Sequence, residues 1–197
     1  VLANAATYKK QAEKILNFSG KNPAEVLYNS HWLSKLTFEK IVKLSSHFTV
    51  QQMLERDMFQ KRLSENKPIG LHEFLYPLMQ GYDSVAMNVD IEIGGSDQTF
   101  NMLVGRALLR DLNGKEKFVI TLPLLEGTDS RKMSKSFNNS IDLTETPNDM
   151  YGKVMSLKDD LILKFFEMTT DISQGELKAI RNKIKVDNPI NLKKKLA

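Results

Sequence analysis

The chain has 197 residues, 41% hydrophobic and 26% charged, with a net charge of +4, a length that accommodates one large domain or two small ones. Zero cysteines exclude a disulfide framework and thiolate zinc sites, and His31, His47 and His72 are too scattered for a histidine metal cluster. No apolar run reaches the roughly 18 residues of a membrane span and no signal-peptide pattern opens the chain, so a cytoplasmic protein is expected; the mild basicity permits a nucleic-acid partner without requiring one.

The chain begins at Val1 and enters a helix over residues 4–17 with no strand before it, which reads as the start of a fragment. The first third is mostly helical, with one short strand expected at residues 25–29. A helix over residues 37–46 carries Phe38, Ile41, Val42 and Leu44 on one face. Thr49-Val-Gln-Gln52 has the form of a capping box that opens the next helix through Met53, Leu54 and Arg56.

A longer helix is predicted over residues 71–88, with Pro77 marking a kink or a late start. Residues 89–93 alternate as a strand should, Gly94-Gly95 ends it, and Ser96 is placed to cap a helix with Phe100, Leu103, Val104, Ala107 and Leu108 at helical spacing to about Leu112. The apolar run Phe118-Val-Ile-Thr-Leu-Pro-Leu-Leu125 reads as a second strand and its exit. This alternation is that of an α/β fold with a parallel sheet. Beyond it come short helices with clear starts: Thr146-Pro147, Ser173-Gln-Gly-Glu176 and Asn188-Pro189.

Three segments carry polar groups suited to chemistry. Tyr76, Gln80 and Asp83 stand at i, i+4 and i+7, which places a phenol, a carboxamide and a carboxylate in one row on a helix. Taken alone, the row is equally the wet face of an amphipathic helix. Gly94-Gly95-Ser96-Asp97-Gln98 lies at a strand end and a helix start, where backbone N–H groups point outward and Asp97 can accept hydrogen bonds from ribose hydroxyls. Lys132-Met-Ser-Lys-Ser136 follows the turn formers Gly127 to Ser130 and presents two ammonium groups that can approach one polyphosphate from two sides.

In this order and at these distances, the segments Tyr76-Pro-Leu-Met-Gln-Gly-Tyr-Asp83, Gly94-Gly-Ser-Asp-Gln98 and Lys132-Met-Ser-Lys-Ser136 resemble those of the bacterial tyrosyl-tRNA synthetases, a class I aminoacyl-tRNA synthetase family. Residues 28–35 and 53–59 are similar to that family's connective insertion, so the likeness spans essentially the whole chain. It implies the C-terminal half of a Rossmann-like, parallel-sheet catalytic domain with a helical insertion. Residues 1–70 would be the connective and dimerisation insertion, 71–142 the second half of the nucleotide-binding fold, and 143–197 a small helical domain that contacts the tRNA stem.

The resemblance also implies roles. Asp83 would accept a hydrogen bond from the phenol of L-tyrosine, Tyr76 and Gln80 would bind its ammonium, and Gln98 would sit near its carboxylate and the α-phosphate. Gly95 and Asp97 would hold the ribose of ATP, and Met133, Ser134 and Lys135 would complete the ATP site. Lys132 and Lys135 would stabilise the leaving pyrophosphate. The partners implied are ATP, L-tyrosine and tRNA(Tyr), with Mg2+ accompanying ATP as substrate, no bound cofactor, no dedicated metal site and a homodimer for the full-length enzyme.

The sequence departs from the family in lacking a His-x-Gly-His motif; His31-Trp-Leu-Ser does not replace it. The isolated chain is therefore expected to be inactive. Two other readings stay open. Tryptophanyl-tRNA synthetases share the lysine loop and a Tyr-Pro helix, but Gln80 stands where that family places an apolar residue. A non-catalytic tRNA-binding or dimerisation module is suggested by the basic C-terminus, Lys178, Arg181, Lys183, Lys185 and Lys193 to Lys195. Retention of Asp83, Asp97, Lys132 and Lys135 together argues against it.

Overall fold

The computed structural model describes residues 2–133, 137–184 and 186–197, which form two compact units: Leu27–Leu124, and Val1–Val26 with Leu125–Ala197. Helix α1 (Leu2–Ala12) belongs to the second. Residues 25–29 form no strand; they are exposed, and no neighbouring strand offers them a ladder.

The unit of residues 27–124 starts with α2 (Ser30–Leu33), α3 (Phe38–Ser45), α4 (Val50–Leu54) and α5 (Asp57–Ser64). Of these, α3 and α4 begin where a side chain satisfies first-turn N–H groups, whereas α2 and α5 start without a side-chain cap. Thr37 accepts from the Lys40 amide, and Thr49 and Gln52 form the reciprocal box expected of them. Leu44 and Met53 share a core with Leu78, Val104 and Leu108, the last fully buried. Truncating Leu108 to alanine would cost about 2–5 kcal/mol. Phe59 is also fully buried, against Phe74, whereas Phe38 is 81% exposed.

The predicted helix over 71–88 divides at its start. A 3-10 turn, Leu71–Phe74, leads into α6 (Leu75–Met87), so Pro77 lies in the first turn of α6, where its missing N–H has no ladder partner to lose. Asn88 ends α6 in the left-handed conformation, φ 50°, a position that asparagine tolerates. That cap displaces the strand. β1 runs Ile91–Gly95 rather than 89–93, with Gly94 and Gly95 paired inside it to Thr121 and Leu122.

From β1 a 3-10 turn, Ser96–Gln98, leads into α7 (Thr99–Asn113), which returns the chain to β2 (Phe118–Leu122), parallel to β1. Ser96 is not a side-chain cap; instead Thr99 Oγ1 donates to the Ser96 carbonyl at 2.7 Å. α6 and α7 cross where two glycines meet: a Cβ on Gly81 would lie 3.1 Å from the Gly105 nitrogen, and one on Gly105 only 3.3 Å from the Gly81 Cα. Beside this crossing, fully buried Lys117 donates to Ser84 Oγ at 2.6 Å and pairs with Glu92, which ties α6 to β1. One sheet face packs on α7, with Gly94 against Met102; the other exposes Ile91, Ile93, Phe118 and Ile120.

In the other unit, α8 (Pro147–Met155), α9 (Ile162–Thr169), α10 (Gln174–Lys183) and α11 (Pro189–Leu196) form the expected helical module. Thr146, Ser173 and Asn188 cap as their side chains predict, and Gly175 does not spoil the Ser173–Glu176 box. Ile162, Phe166, Leu177, Ile180 and Leu192 close its core. No helix among the described residues is long and apolar enough to cross a membrane.

Candidate functional site

In the unit of residues 27–124 the polar row stands on α6. Tyr76 is 54% exposed, while Gln80 and Asp83 are partly buried. Because α6 is one continuous helix from Leu75, the three side chains share a side of it, as their spacing predicts.

Asp83 is held from α2 and its N-cap residue. Trp32 Nε1 donates to its Oδ1 at 2.7 Å, and Asn29 Nδ2 reaches Oδ2 at 3.4 Å. Burial pushes the Asp83 carboxyl above its ordinary value, and these two donors pull it part of the way back. The carboxylate is thus partly desolvated and oriented by an indole, with acceptor capacity remaining for another donor.

Gln80 is held from α7. Asn101, 2% exposed, donates through Nδ2 to Gln80 Oε1 at 2.9 Å and to Gln98 Oε1 at 3.1 Å. The amide of Asn101 therefore joins the row on α6 to the turn after β1. In that turn Asp97 is exposed, and Gly95 lies so close to it that a Cβ there would meet Asp97 Oδ1 and Leu124 Cδ2, each at 2.8 Å. A side chain there would have to displace those two side-chain tips.

The lysine loop lies in the other unit. Its stem is closed by an antiparallel bridge between Glu126 and Lys132, by Gly127 N–H donating to the Arg131 carbonyl at 2.8 Å, and by Thr128 N–H donating to the Asn139 carbonyl at 2.9 Å. Buried Asn139 donates to Asp129 Oδ1 at 2.8 Å and to the Lys132 carbonyl at 3.3 Å. Its side chain fills the space over Gly127, where a Cβ would come within 2.2 Å of Asn139 Nδ2. Arg131 pairs with Asp129 and stacks on Phe137, 4.5 Å from the ring centre. The Asn139 donor, followed by Arg131, holds the Asp129 carboxyl well below the usual carboxylate range. Lys132 is exposed and Met133 half-buried, whereas Ser134, Lys135 and Ser136 lie outside the described residues.

Among the described residues no group of three or more His, Asp or Glu stands together as a metal site. The residues missed from sequence are the holders: Asn29, Trp32, Asn101 and Asn139. A signal existed for Asn101, a carboxamide between Phe100 and Met102 on the buried side of an apolar helix. Trp32 and Asn29 act on a residue more than 50 positions away, and no local pattern announces that.

Comparison with known proteins is consistent throughout the chain. The family described as tRNA synthetases class I (W and Y) matches residues 1–197. The tyrosine–tRNA ligase of Moorella thermoacetica is 50% identical over 92% of this chain and 43% of its own length. That of Haemophilus ducreyi is 48% identical over 100% of this chain and 50% of its own. The structure of a tyrosyl-tRNA synthetase complexed with L-tyrosine from Archaeoglobus fulgidus superposes with a TM-score of 0.71 at 20% identity, over 98% of this chain and 68% of that one, a likeness of fold. The chain spans about half the length of the curated relatives it matches.

Proposed function

The chain belongs to the class I tRNA synthetases of the W and Y type, and from that premise we propose that it is part of a tyrosine–tRNA ligase. The full-length protein would join L-tyrosine to ATP as tyrosyl-adenylate and pass the tyrosyl group to tRNA(Tyr). The observation that carries this reading is Asp83: a partly desolvated carboxylate, oriented by Trp32 and Asn29, at the end of a polar row with Tyr76 and Gln80. Such a carboxylate suits the phenol O–H of tyrosine. Phenylalanine would leave it unpaired, which is how a polar pocket rejects an analogue that lacks one hydroxyl.

Tyr76 and Gln80 would accept from the substrate ammonium, and Gln98 would donate to its carboxylate. Asp97 and the Gly95 backbone would bind the ATP ribose, with Met133, Ser134 and Lys135 beside the nucleotide. The reaction needs no protein nucleophile. The tyrosine carboxylate attacks the α-phosphate and pyrophosphate leaves; a ribose hydroxyl at the tRNA terminus then attacks the acyl carbon and AMP leaves. The protein's part is alignment and the stabilisation of charge on the leaving pyrophosphate by Lys132 and Lys135. Magnesium enters with ATP as substrate.

Residues 143–197, with their basic helices, would lie against the tRNA stem, and residues 1–70 would serve dimerisation in a cytoplasmic homodimer. Phe38 and Val42, both exposed on α3, support that role, whereas Met53 and Phe59 belong to the core. The names of the relatives and Gln80 both favour tyrosine over tryptophan.

The test is ATP–pyrophosphate exchange by the full-length protein with each amino acid in turn. Exchange should depend on tyrosine, be absent with tryptophan, and strongly favour tyrosine over phenylalanine. Exchange driven by tryptophan would overturn the assignment. Absence of both exchange and calorimetric tyrosine binding would leave the non-catalytic module as the better account.

A further inference from the structure

We propose that Asn101 is a positioning residue that fixes the amide orientation of both Gln80 and Gln98, so that the substrate meets a predetermined arrangement of acceptor and donor. This rests on the tyrosine-binding role proposed above. Asn101 lies in the first turn of α7, 2% exposed, and one Nδ2 supplies both hydrogen bonds, to Gln80 Oε1 at 2.9 Å and to Gln98 Oε1 at 3.1 Å. An amide nitrogen has two hydrogens, and here each has its own carbonyl.

The consequence differs for the two glutamines. With its oxygen turned to Asn101, Gln98 presents its NH2 elsewhere, as a donor suited to a carboxylate. Gln80 keeps a second lone pair on the same oxygen, an acceptor suited to an ammonium. One buried amide thereby turns both glutamine oxygens toward itself, which frees the Gln98 NH2 for the carboxylate while the Gln80 oxygen keeps a lone pair for the ammonium.

Packing does not account for asparagine at this place. Its own Oδ1 is buried without a hydrogen-bond partner among the described residues, a cost that an apolar side chain would avoid. Its own helix is otherwise apolar here, with Met102, Val104 and Leu108 buried and Phe100 packed on the core. The donor to two glutamines is the return for that cost.

The test is Asn101→Asp in the full-length protein, a change of nearly the same size that removes both donors. The glutamines must then turn their NH2 groups toward the new carboxylate, so that Gln98 offers oxygen to the substrate carboxylate while Gln80 still offers oxygen to its ammonium. By calorimetry, tyrosine affinity should fall by about tenfold or more, whereas ATP and tyramine, which lacks the carboxylate, should bind within about twofold of the unmodified protein. Asn101→Ala, which frees both amides without reversing them, should weaken tyrosine binding less than Asn101→Asp does.

Unchanged tyrosine affinity in Asn101→Asp overturns the inference. So does parallel loss of tyrosine, tyramine and ATP binding with a lowered melting temperature, which would make Asn101 structural. An unmodified protein that binds no tyrosine overturns the underlying function and this inference with it, and is distinguishable because it appears before any substitution is made.

Discussion

The polar row on α6 and the lysine loop are built in different ways. Along α6, the side chains proposed to bind substrate are themselves clamped: Asp83 by Trp32 and Asn29, Gln80 by Asn101. In the loop the visible clamps act on the backbone frame, through the Glu126–Lys132 bridge and the Asn139 side chain at Asp129 and the Lys132 carbonyl. A group that discriminates between similar substrates must be preorganised, because its selectivity comes from the cost of leaving it unpaired. A group that meets growing negative charge must also be held where that charge develops, and a lysine on a long stem can be held through its backbone. The two constructions thus suit the roles proposed for them, selection on one side and charge stabilisation on the other.

The largest expected effect tests the second half of that contrast. Lys132→Ala in the full-length protein should lower kcat for exchange by on the order of 100-fold or more, with tyrosine affinity nearly unchanged. A rise in the tyrosine dissociation constant of similar size would mean that the loop also takes part in selection, and the contrast would fail.

Asp83→Asn tests the first half and should have two opposed consequences. Discrimination against phenylalanine should fall by on the order of 1–3 kcal/mol, measured as the ratio of kcat/KM values. Stability should rise. The folded Asp83 carboxyl titrates above its unfolded value of 3.8, chiefly because it is buried. A carboxyl raised in this way favours the folded state while protonated and loses that favour as pH rises through the window above 3.8. At neutral pH the native charge is therefore a net cost, and a neutral amide removes it. A lower melting temperature for Asp83→Asn at pH 7 would show that the Trp32 and Asn29 hydrogen bonds outweigh burial.

The same contrast explains how much of the molecule was legible beforehand. Helix starts were readable because capping is local chemistry: Thr49 with Gln52, Thr146 with Pro147, Ser173 with Glu176. β1 starts two residues later than its alternation predicts because the left-handed Asn88 cap intervenes, and residues 25–29 have a strand's composition without a neighbour to pair with. The row Tyr76, Gln80, Asp83 followed from helical spacing. Its clamps did not, since Trp32 to Asp83 and Asn101 to Gln80 are contacts between elements distant in sequence.

The smallest predicted effect concerns what supports each construction under acid. At the start of α6, Glu73 pairs with Arg62 and accepts from the Gly70 amide at 2.9 Å; the Arg62 donor first, and the Gly70 amide second, hold its carboxyl down to about 2. A carboxyl lowered on folding adds stability that is present above its unfolded value of 4.5 and is lost as pH falls toward about 2. Asp129 in the loop stem obeys the same sign, but its principal partner is the neutral amide of Asn139. Glu73→Gln should therefore weaken amide-exchange protection around residues 70–75 at pH 6 and flatten its further loss between about 4.5 and 2, leaving residues 127–132 unaltered. If the variant and the unmodified protein lose protection in parallel over that range, Glu73 does not brace α6. If residues 127–132 respond as strongly as 70–75, the two constructions are energetically coupled rather than independent.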